Sequence, residues 1–523
     1  MKPPLLLDCW NDIYRAGSAS AGGKGWLLAK LARYGLPVPD TLVIPAEVEQ
    51  TWLADLKIPS PEAQESDAEL ERFRQRLLTH PLPTTLIEAL HDKLTSRGWQ
   101  RRALAVRSSA TAEDSSSASF AGIHQSCLNL VGAEALAAGI RTVWASRWTP
   151  RAIAYRRRFG FAGTPFAMAV VIMPMIPAQA SGIAFTWDPL SGRDDRIILH
   201  AHWGLGEALV SGEASGDEIV LSENPFDDGL QLLRITPGDK SVMRVPISGG
   251  TRKQITPPDI AQTPVLDEPQ ALRLGELLRD AAIALDFRRP AFDLEWVWDS
   301  ERFWLVQARP ITALKHNTYP ALREQPEIWS RGNTCEVTPY PLSVYDWFNS
   351  RRLINLMLEQ PLASTAYPIH PGIQRAGLFE GRLYLNLSVM QWELHDAFGL
   401  PPKTINALIG GHQPEITVPR ASLRQRIIRL SRLMGVSRRS RRIRKAAPEI
   451  LRTAHNTAQQ GREAAPPLED AAILTRLTEQ VRQTRQMKSL FYLQTKRVFD
   501  LMKDFGTSKS TKIDSIFDSL LVP

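Results

Sequence analysis

Cysteine is scarce in this chain. Its 523 residues include three, Cys9, Cys127 and Cys335, which are too few and too scattered for a disulfide framework or a zinc site. No apolar run reaches the roughly 18 residues that a membrane-spanning helix needs. The first residues, MKPPLLLDCW, lack the apolar core and cleavage site of a secretory signal peptide. These absences favour a cytoplasmic protein, and we expect no membrane partner.

Several common catalytic signatures are also missing. The sequence contains no P-loop, no GxGxxG dinucleotide fingerprint, no HExxH zinc motif, no GxSxG nucleophile elbow and no CxxC pair. Their absence excludes the common phosphate-binding and hydrolase sites that these motifs form. Any phosphate-binding site in this chain therefore has to consist of other residues.

Positive charge is concentrated in the second part of the chain. Residues 1–315 hold 34 Lys and Arg against 37 Asp and Glu, whereas residues 316–523 hold 29 against 18. Residues 420–445 alone contain ten Arg and one Lys without an acid. A solvated helix face is the simplest interpretation, and contact with an anionic ligand or an acidic protein domain is the alternative. We do not expect nucleic acid as a partner, because no aromatic residue interrupts the run.

The hydrophobic pattern divides the chain into three parts. Residues 1–313 alternate helical and strand patterns, which is typical of an α+β domain. Residues 314–330 are polar and proline-bearing, and we interpret them as a linker. Helical patterns dominate residues 331–523, chiefly at 343–359, 421–445 and 468–505, and predict a mainly α-helical second domain.

A predicted hairpin at residues 291–310, AFDLEWVWDSERFWLVQARP, carries polar residues that could form a binding site. Alternation places Asp293 and Glu295 on one face, and Gln307 and Arg309 share a face of the return strand. If 295 pairs with 307, then 293 pairs with 309 and all four side chains meet. A carboxylate and an amide oxygen suit Mg²⁺, and a neighbouring Arg suits a phosphate. A half-exposed ladder of salt bridges is the alternative.

Two further segments have features of phosphate sites. Arg107 leaves a short apolar strand and enters a loop of small hydroxyl residues that continues to Gly122. The N–H groups and hydroxyls of such a loop can bind phosphate, although a flexible serine linker has the same composition. Lys24 lies among glycines at the start of a predicted helix, where a cation and a helix N-terminus make an anion site. A glycine-rich cap with a surface lysine is the alternative.

Together these segments resemble the nucleotide-binding domain of phosphoenolpyruvate synthase and pyruvate phosphate dikinase, which rifampin phosphotransferase shares. The match runs from about residue 10 to 313, through six markers in sequential order. They are GGKGWLLAKLARYGLPVPDTLVI, LAVRSSATAEDSSSASFAGIHQSCLNL, VWASRWTPRAIAYRRRFG, SGIAFTWDPLSG, GLGEALVSGEASGDE and FDLEWVWDSERFWLVQARPIT. The following segment, WSRGNTCEVTPYPLSVYDWFNS, is similar to the start of the middle, largely helical domain of rifampin phosphotransferase-like proteins.

The resemblance implies an ATP-grasp fold for residues 1–313, with ATP and Mg²⁺ as cofactors. It implies catalytic roles for Lys24 and Arg107, which would grip the triphosphate, and for Arg309, which would support the transferring phosphoryl group. Glu295 and Gln307 would hold Mg²⁺. The ATP-binding residues that it implies are Lys24, Arg107, Thr111, Gly122, Met173, Met175, Glu207, Glu295, Gln307 and Arg309.

The sequence departs from the family in three places. Met173 stands where the family usually carries Gln near the adenine, and VSGEASGDE lacks the family's proline. None of the ten histidines lies in the Gly-Gly-Thr-x-Ser-His motif of the mobile phosphohistidine domain. The pyruvate-binding barrel is also missing.

The resemblance implies an ATP-dependent, dikinase-type phosphotransferase component. As in the family, it would transfer the β-phosphoryl group of ATP to a histidine, release AMP and phosphate, and serve pyruvate or a hydroxyl substrate. The histidine would lie on a missing domain or on a separate protein in trans, an arrangement that split systems of the family, such as phenylphosphate synthase, resemble. A non-catalytic ATP-binding or regulatory module, or a truncated family fragment, is the alternative.

Overall fold

The computed structural model describes residues 4–56, 66–111, 123–158, 166–223, 229–363, 365–410 and 413–435, with a few isolated positions between 445 and 459. The chain divides into two compact units, the first formed by residues 1–222 and 230–315 and the second by residues 223–229 and 316–523. Helices and strands are mixed along the chain, so the fold is α+β as expected. Among the described residues, no helix combines the length and apolar character of a membrane span.

Unit one begins with a kinked helix, α1 (Trp10–Arg33). Gly17 and Gly22 have positive φ angles of 72° and 68°, so the helix restarts just before Lys24. A side chain at Gly22 would place its Cβ 2.0 Å from the Ser109 carbonyl oxygen. Glycine is therefore required there both by the backbone conformation and by the close approach of a neighbouring strand.

The first sheet of unit one is antiparallel and has four strands. These are β1 (Leu42–Ile44), β2 (Leu104–Ala110), β3 (Ser126–Leu130) and β4 (Met168–Pro174), in the order β1-β4-β2-β3. The helices around it are α2 (Ala46–Asp55), α3 (Asp67–Thr79), α4 (Thr84–Ser96), α5 (Ala133–Ala145) and α6 (Pro150–Arg158). The apolar run of β4 is continuous because both of its faces are covered.

The second sheet of unit one has six strands. They are β5 (Ala180–Phe185), β6 (Arg196–Trp203), β7 (Asp217–Glu223), β8 (Leu230–Thr236), and, after a separate hairpin of β9 (Val242–Ile247) and β10 (Gly250–Ile255), β11 (Phe292–Trp298) and β12 (Phe303–Pro310). The order is β12-β11-β5-β6-β7-β8. Helices α7 (Glu207–Val210), α8 (Pro258–Ala261) and α9 (Glu268–Asp286) complete the unit.

Helix α1 packs against both sheets. Its residues Leu27 and Leu31 belong to the core between the second sheet and α9, whereas Leu28 belongs to a core shared with β4. Helix α9 covers one face of the second sheet and starts with a capping box between Asp267 and Gln270. Because α9 covers one face of β11 and β12, the opposite face of these two strands lies toward α1 and the first sheet.

Unit two has its own small sheet and core. The strands β13 (Trp329–Ser330), β14 (Ala376–Phe379) and β15 (Arg382–Asn386) pair in the order β13-β15-β14. The helices are α10 (Thr334–Val337), α11 (Val344–Ala363), α12 (Leu387–Phe398) and α13 (Lys403–Ile409), followed by a helix at 423–435. A buried ion pair joins Arg375 to Glu393, which also accepts the Tyr319 hydroxyl at 2.7 Å.

The boundary and the second unit differ in detail from the sequence expectation. The division falls at residue 315, and most of the segment 314–330 belongs to unit two. Tyr319 and Leu322 are buried there, so the segment packs into a core instead of forming an open linker. The three strands were not predicted by the helical pattern, because each is short. The helix expected at 468–505 lies outside the described residues.

Candidate functional site

The hairpin of β11 and β12 has the register that brings its four polar residues together. Asp293 lies opposite Arg309, and Glu295 lies opposite Gln307. A β-bulge follows at Glu295/Trp296, where Trp296 turns into the core beneath the sheet. Bulges re-aim side chains and are frequent beside active sites. The polar residues therefore share the face that looks toward the first sheet.

Arg107 of β2 joins this face from the first sheet. Its Nη1 donates to Glu295 Oε2 at 2.7 Å and to Gln307 Oε1 at 3.3 Å. Gln307 Nε2 in turn donates to Glu295 Oε1 at 2.9 Å. The side chains of Arg107 and Glu295 are 16% and 22% exposed, so the pair lies in a cleft that a ligand can still reach.

Lys24 approaches the same cluster from the restarted segment of α1. Its Nζ donates to the Ser108 carbonyl at 3.2 Å, next to Arg107 on β2. The N–H of Gly25 donates to Ser109 Oγ at 3.0 Å, and this hydroxyl donates to the Ala21 carbonyl at 2.9 Å. The glycine-rich turn is thus fastened to β2, which fixes the lysine beside the arginine.

The electrostatics keep Glu295 ionised. Burial acts to raise the pKa of the Glu295 carboxyl, but the charges of Arg107 and Lys24 hold that pKa below its ordinary value. Arg309 acts in the same direction. With the Asp293 carboxylate that pairs with Arg309, the site holds two carboxylates and three cations, so it has excess positive charge for an anionic ligand.

Asp293 holds Arg309 in place. Both Nε and Nη2 of Arg309 donate to Asp293 Oδ2, the former at 2.7 Å. Burial raises the pKa of Asp293, and Arg309 opposes that rise. The sequence placed Asp293 on the correct face but did not include it among the site residues. The bidentate contact identifies it as the residue that orients the arginine.

Met173 lies near the end of β4, and Met175 follows that strand. Met173 is 2% exposed and packs in a core with Ala105 of β2 and Val306 of β12. Met175 is partly buried against that core, and its N–H donates to the Ala103 carbonyl at 2.8 Å. Both side chains therefore contribute to the apolar core that α1, β2, β4 and β12 share.

The remaining expected residues are not drawn into this cluster. Thr111 follows β2 directly and exchanges hydrogen bonds with Ala167, at 3.1 Å through its N–H. Glu207 begins α7 and accepts the Thr251 hydroxyl of β10. Gly122 and most of the serine-rich loop lie outside the described residues.

Two histidines, His124 and His200, lie near the site. His200 of β6 pairs with Ile183 of β5, which pairs with Glu295, so it lies in the same row of the sheet. The alternation of β6 is the signal that could have placed it there. Burial lowers the pKa of His124 to about 3, with a further contribution from the charge of Lys24. Both imidazoles are therefore kept neutral, because burial also lowers the pKa of His200.

The residues present suit a divalent cation that arrives with phosphate. The oxygens Glu295 Oε2 and Gln307 Oε1 already converge on one cationic group, the Arg107 guanidinium. Mg²⁺ needs few ligands from the protein, because water and phosphate oxygens usually supply the others. One carboxylate and one amide oxygen are therefore sufficient. Within the described ranges, no group of three or more His, Cys, Asp or Glu side chains forms a self-sufficient metal site.

Over much of its length the chain is similar to known proteins. The family model for the pyruvate phosphate dikinase AMP/ATP-binding domain matches residues 18–327. A rifampicin phosphotransferase from a Streptomyces species is 36% identical over 330 residues, which cover 60% of this chain and 36% of that protein. A probable phosphoenolpyruvate synthase from Methanocaldococcus jannaschii is 33% identical over 313 residues, covering 56% and 26%.

A rifampicin phosphotransferase from Bacillus subtilis is 33% identical over 316 residues, which cover 58% of this chain and 36% of that protein. The chain thus matches between 26% and 36% of the length of these three relatives. The family match extends over more than half of the chain and includes the three segments that build the cluster. The chain therefore belongs to the family of the pyruvate phosphate dikinase AMP/ATP-binding domain.

Proposed function

We propose that this chain binds Mg-ATP between the two sheets of unit one and acts as the ATP-consuming component of a dikinase-type phosphotransferase. The observation that carries the proposal is the convergence of Arg107 from β2 with Glu295 and Gln307 from the hairpin. Adenine binding alone needs no such combination of cations, carboxylate and amide. A transferring phosphoryl group does, because charge spreads over its oxygens in the transition state.

Each residue has a part that follows from its surroundings. Lys24 and Arg107 would bind the triphosphate from the first sheet and α1. Arg309, oriented by Asp293, would bind the phosphoryl group while it is transferred. Glu295 and Gln307 would hold Mg²⁺, which when bound would neutralise charge on the phosphate oxygens. Arg107 would then exchange the carboxylate of Glu295 for a phosphate oxygen.

The acceptor of the β-phosphoryl group would be a histidine supplied from outside the described residues. Its ring nitrogen would form the new bond to the β-phosphorus, AMP would leave from the α–β linkage, and water would take the γ-phosphoryl group as inorganic phosphate. The family's ATP-grasp domain would correspond to residues 1–313, and residues 331–523 to part of a substrate domain. The final acceptor, pyruvate or a hydroxyl compound, would depend on segments that the relatives have beyond the matched part.

The test is ³¹P NMR of the purified chain with Mg-ATP, alone and with a separately expressed phosphohistidine domain from a related enzyme. We expect AMP and inorganic phosphate to accumulate when that domain is present. The chain alone should turn over little, because water is a poor substitute for a positioned histidine. Glu295→Ala should abolish the signal.

The matched control for that variant is Glu301→Ala. Glu301 is an exposed carboxylate in the turn of the same hairpin, so its removal should leave turnover unchanged. Equal turnover by the Glu295 and Glu301 variants would contradict the proposed site. Turnover without the added domain would contradict the need for an external histidine.

A non-catalytic ATP-binding module is the second candidate. It is favoured by Met173, a buried thioether in the position where the family usually carries a hydrogen-bonding Gln. Under this alternative, Mg-ATP would raise the unfolding temperature of the chain but no phosphohistidine domain would elicit AMP. The ³¹P experiment and a thermal-shift measurement on the same samples therefore separate the two functions.

A further inference from the structure

The described part of unit two ends in a helix, residues 423–435, which we call the basic helix. Its apolar residues Leu423, Ile427, Leu430 and Met434 follow the i, i+4, i+7, i+11 spacing of a single helix face. We call these four residues the apolar stripe. Their exposed fractions are 76%, 63%, 59% and 55%, so the whole stripe faces away from the described part of unit two.

The opposite side of the basic helix attaches it to unit two. Arg429 Nε donates to the Asp396 carbonyl at 3.2 Å. The guanidinium of Arg432 lies 5.0 Å from the centre of the Tyr367 ring. A surface helix ordinarily buries its apolar face and exposes its charged one. Here arginines make the attachment and the apolar stripe is outward, so the orientation is the reverse of the usual one.

The charge of the described segment that carries the stripe is of one sign. Residues 420–435 contain five Arg and no Lys, Asp or Glu. Arg424 and Arg426 lie at about 100° and about 60° to either side of the stripe on a helix of 3.6 residues per turn. Their long side chains can extend from the edges of an apolar surface toward anionic groups while the stripe is buried.

We propose that the apolar stripe and its flanking arginines dock on the surface of an anionic lipid bilayer. Such a surface offers a continuous plane of negative charge directly above an apolar layer, which matches both features at once. A second copy of the chain would bring two unbalanced basic segments together, which charge repulsion opposes. The stripe also lacks the aromatic anchors that dominate protein interfaces. Among the described residues no helix could span a membrane, and a helix that lies in the interface plane does not need to. The proposal therefore revises the expectation, drawn from the sequence, that the chain has no membrane partner.

The test is sedimentation of the full chain with vesicles of phosphatidylcholine alone and of phosphatidylcholine with one-third phosphatidylglycerol. We expect binding to the anionic vesicles and at least about tenfold weaker binding to the neutral ones, since each basic residue near the surface contributes to the attraction. Raising the salt concentration should weaken the anionic binding, because exposed charges are screened.

Two double variants divide the contributions of the surface. Ile427→Ser with Leu430→Ser removes half of the stripe, and Arg424→Gln with Arg426→Gln removes the flanking charges. Each should weaken binding to anionic vesicles about tenfold or more. All four positions are on the exposed helix surface, so circular dichroism and the unfolding temperature should be unchanged. The controls are Tyr340→Ser and Arg72→Gln, exposed positions elsewhere, which should bind as the wild type does.

Absence of binding to anionic vesicles would overturn the proposal. Binding that the Arg424/Arg426 double variant loses and the Ile427/Leu430 double variant retains would also overturn it, because simple charge attraction to any acidic macromolecule would then suffice. Tighter salt-sensitive binding to a DNA duplex than to the vesicles would indicate a nucleic-acid surface instead.

Discussion

At the scale of single residues, the candidate site depends on side chains that hold one another in position. Glu295 accepts from both Arg107 and Gln307, and Arg309 is held by Asp293. Pairs of this kind keep reactive groups within a few tenths of an ångström of their working positions. The roles of the orienting residues can therefore be separated from those of the residues that contact ligand.

Asp293→Asn tests the orienting role. The amide keeps an oxygen that can accept from Arg309 but removes the charge that holds the guanidinium. We expect the rate of AMP release to fall by roughly tenfold or more, with a change in Mg-ATP affinity of less than about threefold. Rate and calorimetric titration are measured on the same preparation. An unchanged rate, or a loss confined to affinity, would contradict the role; Asp280→Asn, an exposed carboxylate on α9, is the control.

His124 makes the stability of the chain depend on pH. Burial, and next the charge of Lys24, lower the pKa of the folded state to about 3 from an ordinary value of 6.5. Between these values the unfolded chain binds the extra proton, so stability is lost as the pH falls below 6.5. Going from about pH 7.5 to about pH 5.5 should cost about 1.4 kcal/mol at this residue.

His124→Gln removes that dependence. Urea unfolding at the two pH values should show a pH-induced loss of stability that is smaller by about 1.4 kcal/mol in the variant than in the wild type. His91→Gln is the control, since His91 is exposed on α4. Equal pH dependence in the wild type and in the His124 variant would show that this imidazole titrates normally.

At the scale of the elements, the kink of α1 is what delivers Lys24 to the site. Gly22→Ala places a Cβ against the Ser109 backbone and forces a positive φ on a residue with a side chain. We expect a loss of about 3 kcal/mol or more of unfolding free energy, together with loss of ATP binding. Gly17→Ala has a similar φ but open space around it, so it should cost about 1–2 kcal/mol and leave binding intact. Similar losses in both variants would mean that the contact with β2 is not important.

The hairpin is the element that the sequence predicted best. Alternation in FDLEWVW and FWLVQARP is sufficient to place Asp293, Glu295, Gln307 and Arg309 on one face, and the register is the one considered. The bulge was not predictable, because one extra residue leaves the alternation on each side intact. Arg107 was expected at the end of a short apolar strand; it lies within β2, which continues to Ala110.

The contacts between distant segments could not be predicted from local pattern. Arg107 and Glu295 are 188 residues apart along the chain, and no periodicity relates them. They meet because α1 packs against both sheets and because Gly22 lets β2 approach it closely. The resemblance to the family did supply both residues, but the ion pair between them is a feature of the structure. The outward orientation of the apolar stripe could not be predicted from the sequence either, because its spacing is that of an ordinary surface helix.

At the scale of the whole molecule, the site should accept the cation and the nucleotide together. Glu295 is already neutralised by Arg107, and the described residues offer no complete metal cage. Mg²⁺ alone should therefore leave the unfolding temperature unchanged, whereas Mg-ATP at a hundred times its Kd should stabilise the chain by about 2.7 kcal/mol. ATP with a chelator should stabilise less. A shift with Mg²⁺ alone, measured by scanning calorimetry, would contradict this coupling.

The chain as a whole shares only one part of its relatives, the ATP-binding domain. The family match covers residues 18–327, and well over half of each relative's own length lies outside the matched part. The role of the first unit can therefore be argued from geometry, whereas the proposed acceptor of the phosphoryl group would lie outside the described residues.

The most direct test of the central claim is calorimetric titration of Mg-ATP into the wild type, Arg107→Ala, Glu295→Ala and the control Glu301→Ala. We predict one site per chain, retained by the wild type and the Glu301 variant and weakened by about tenfold or more in the other two, because each loses a charged contact to phosphate or cation. Equal affinity in all four proteins would contradict the account, since the nucleotide would then bind elsewhere than at the Arg107–Glu295–Gln307 cluster.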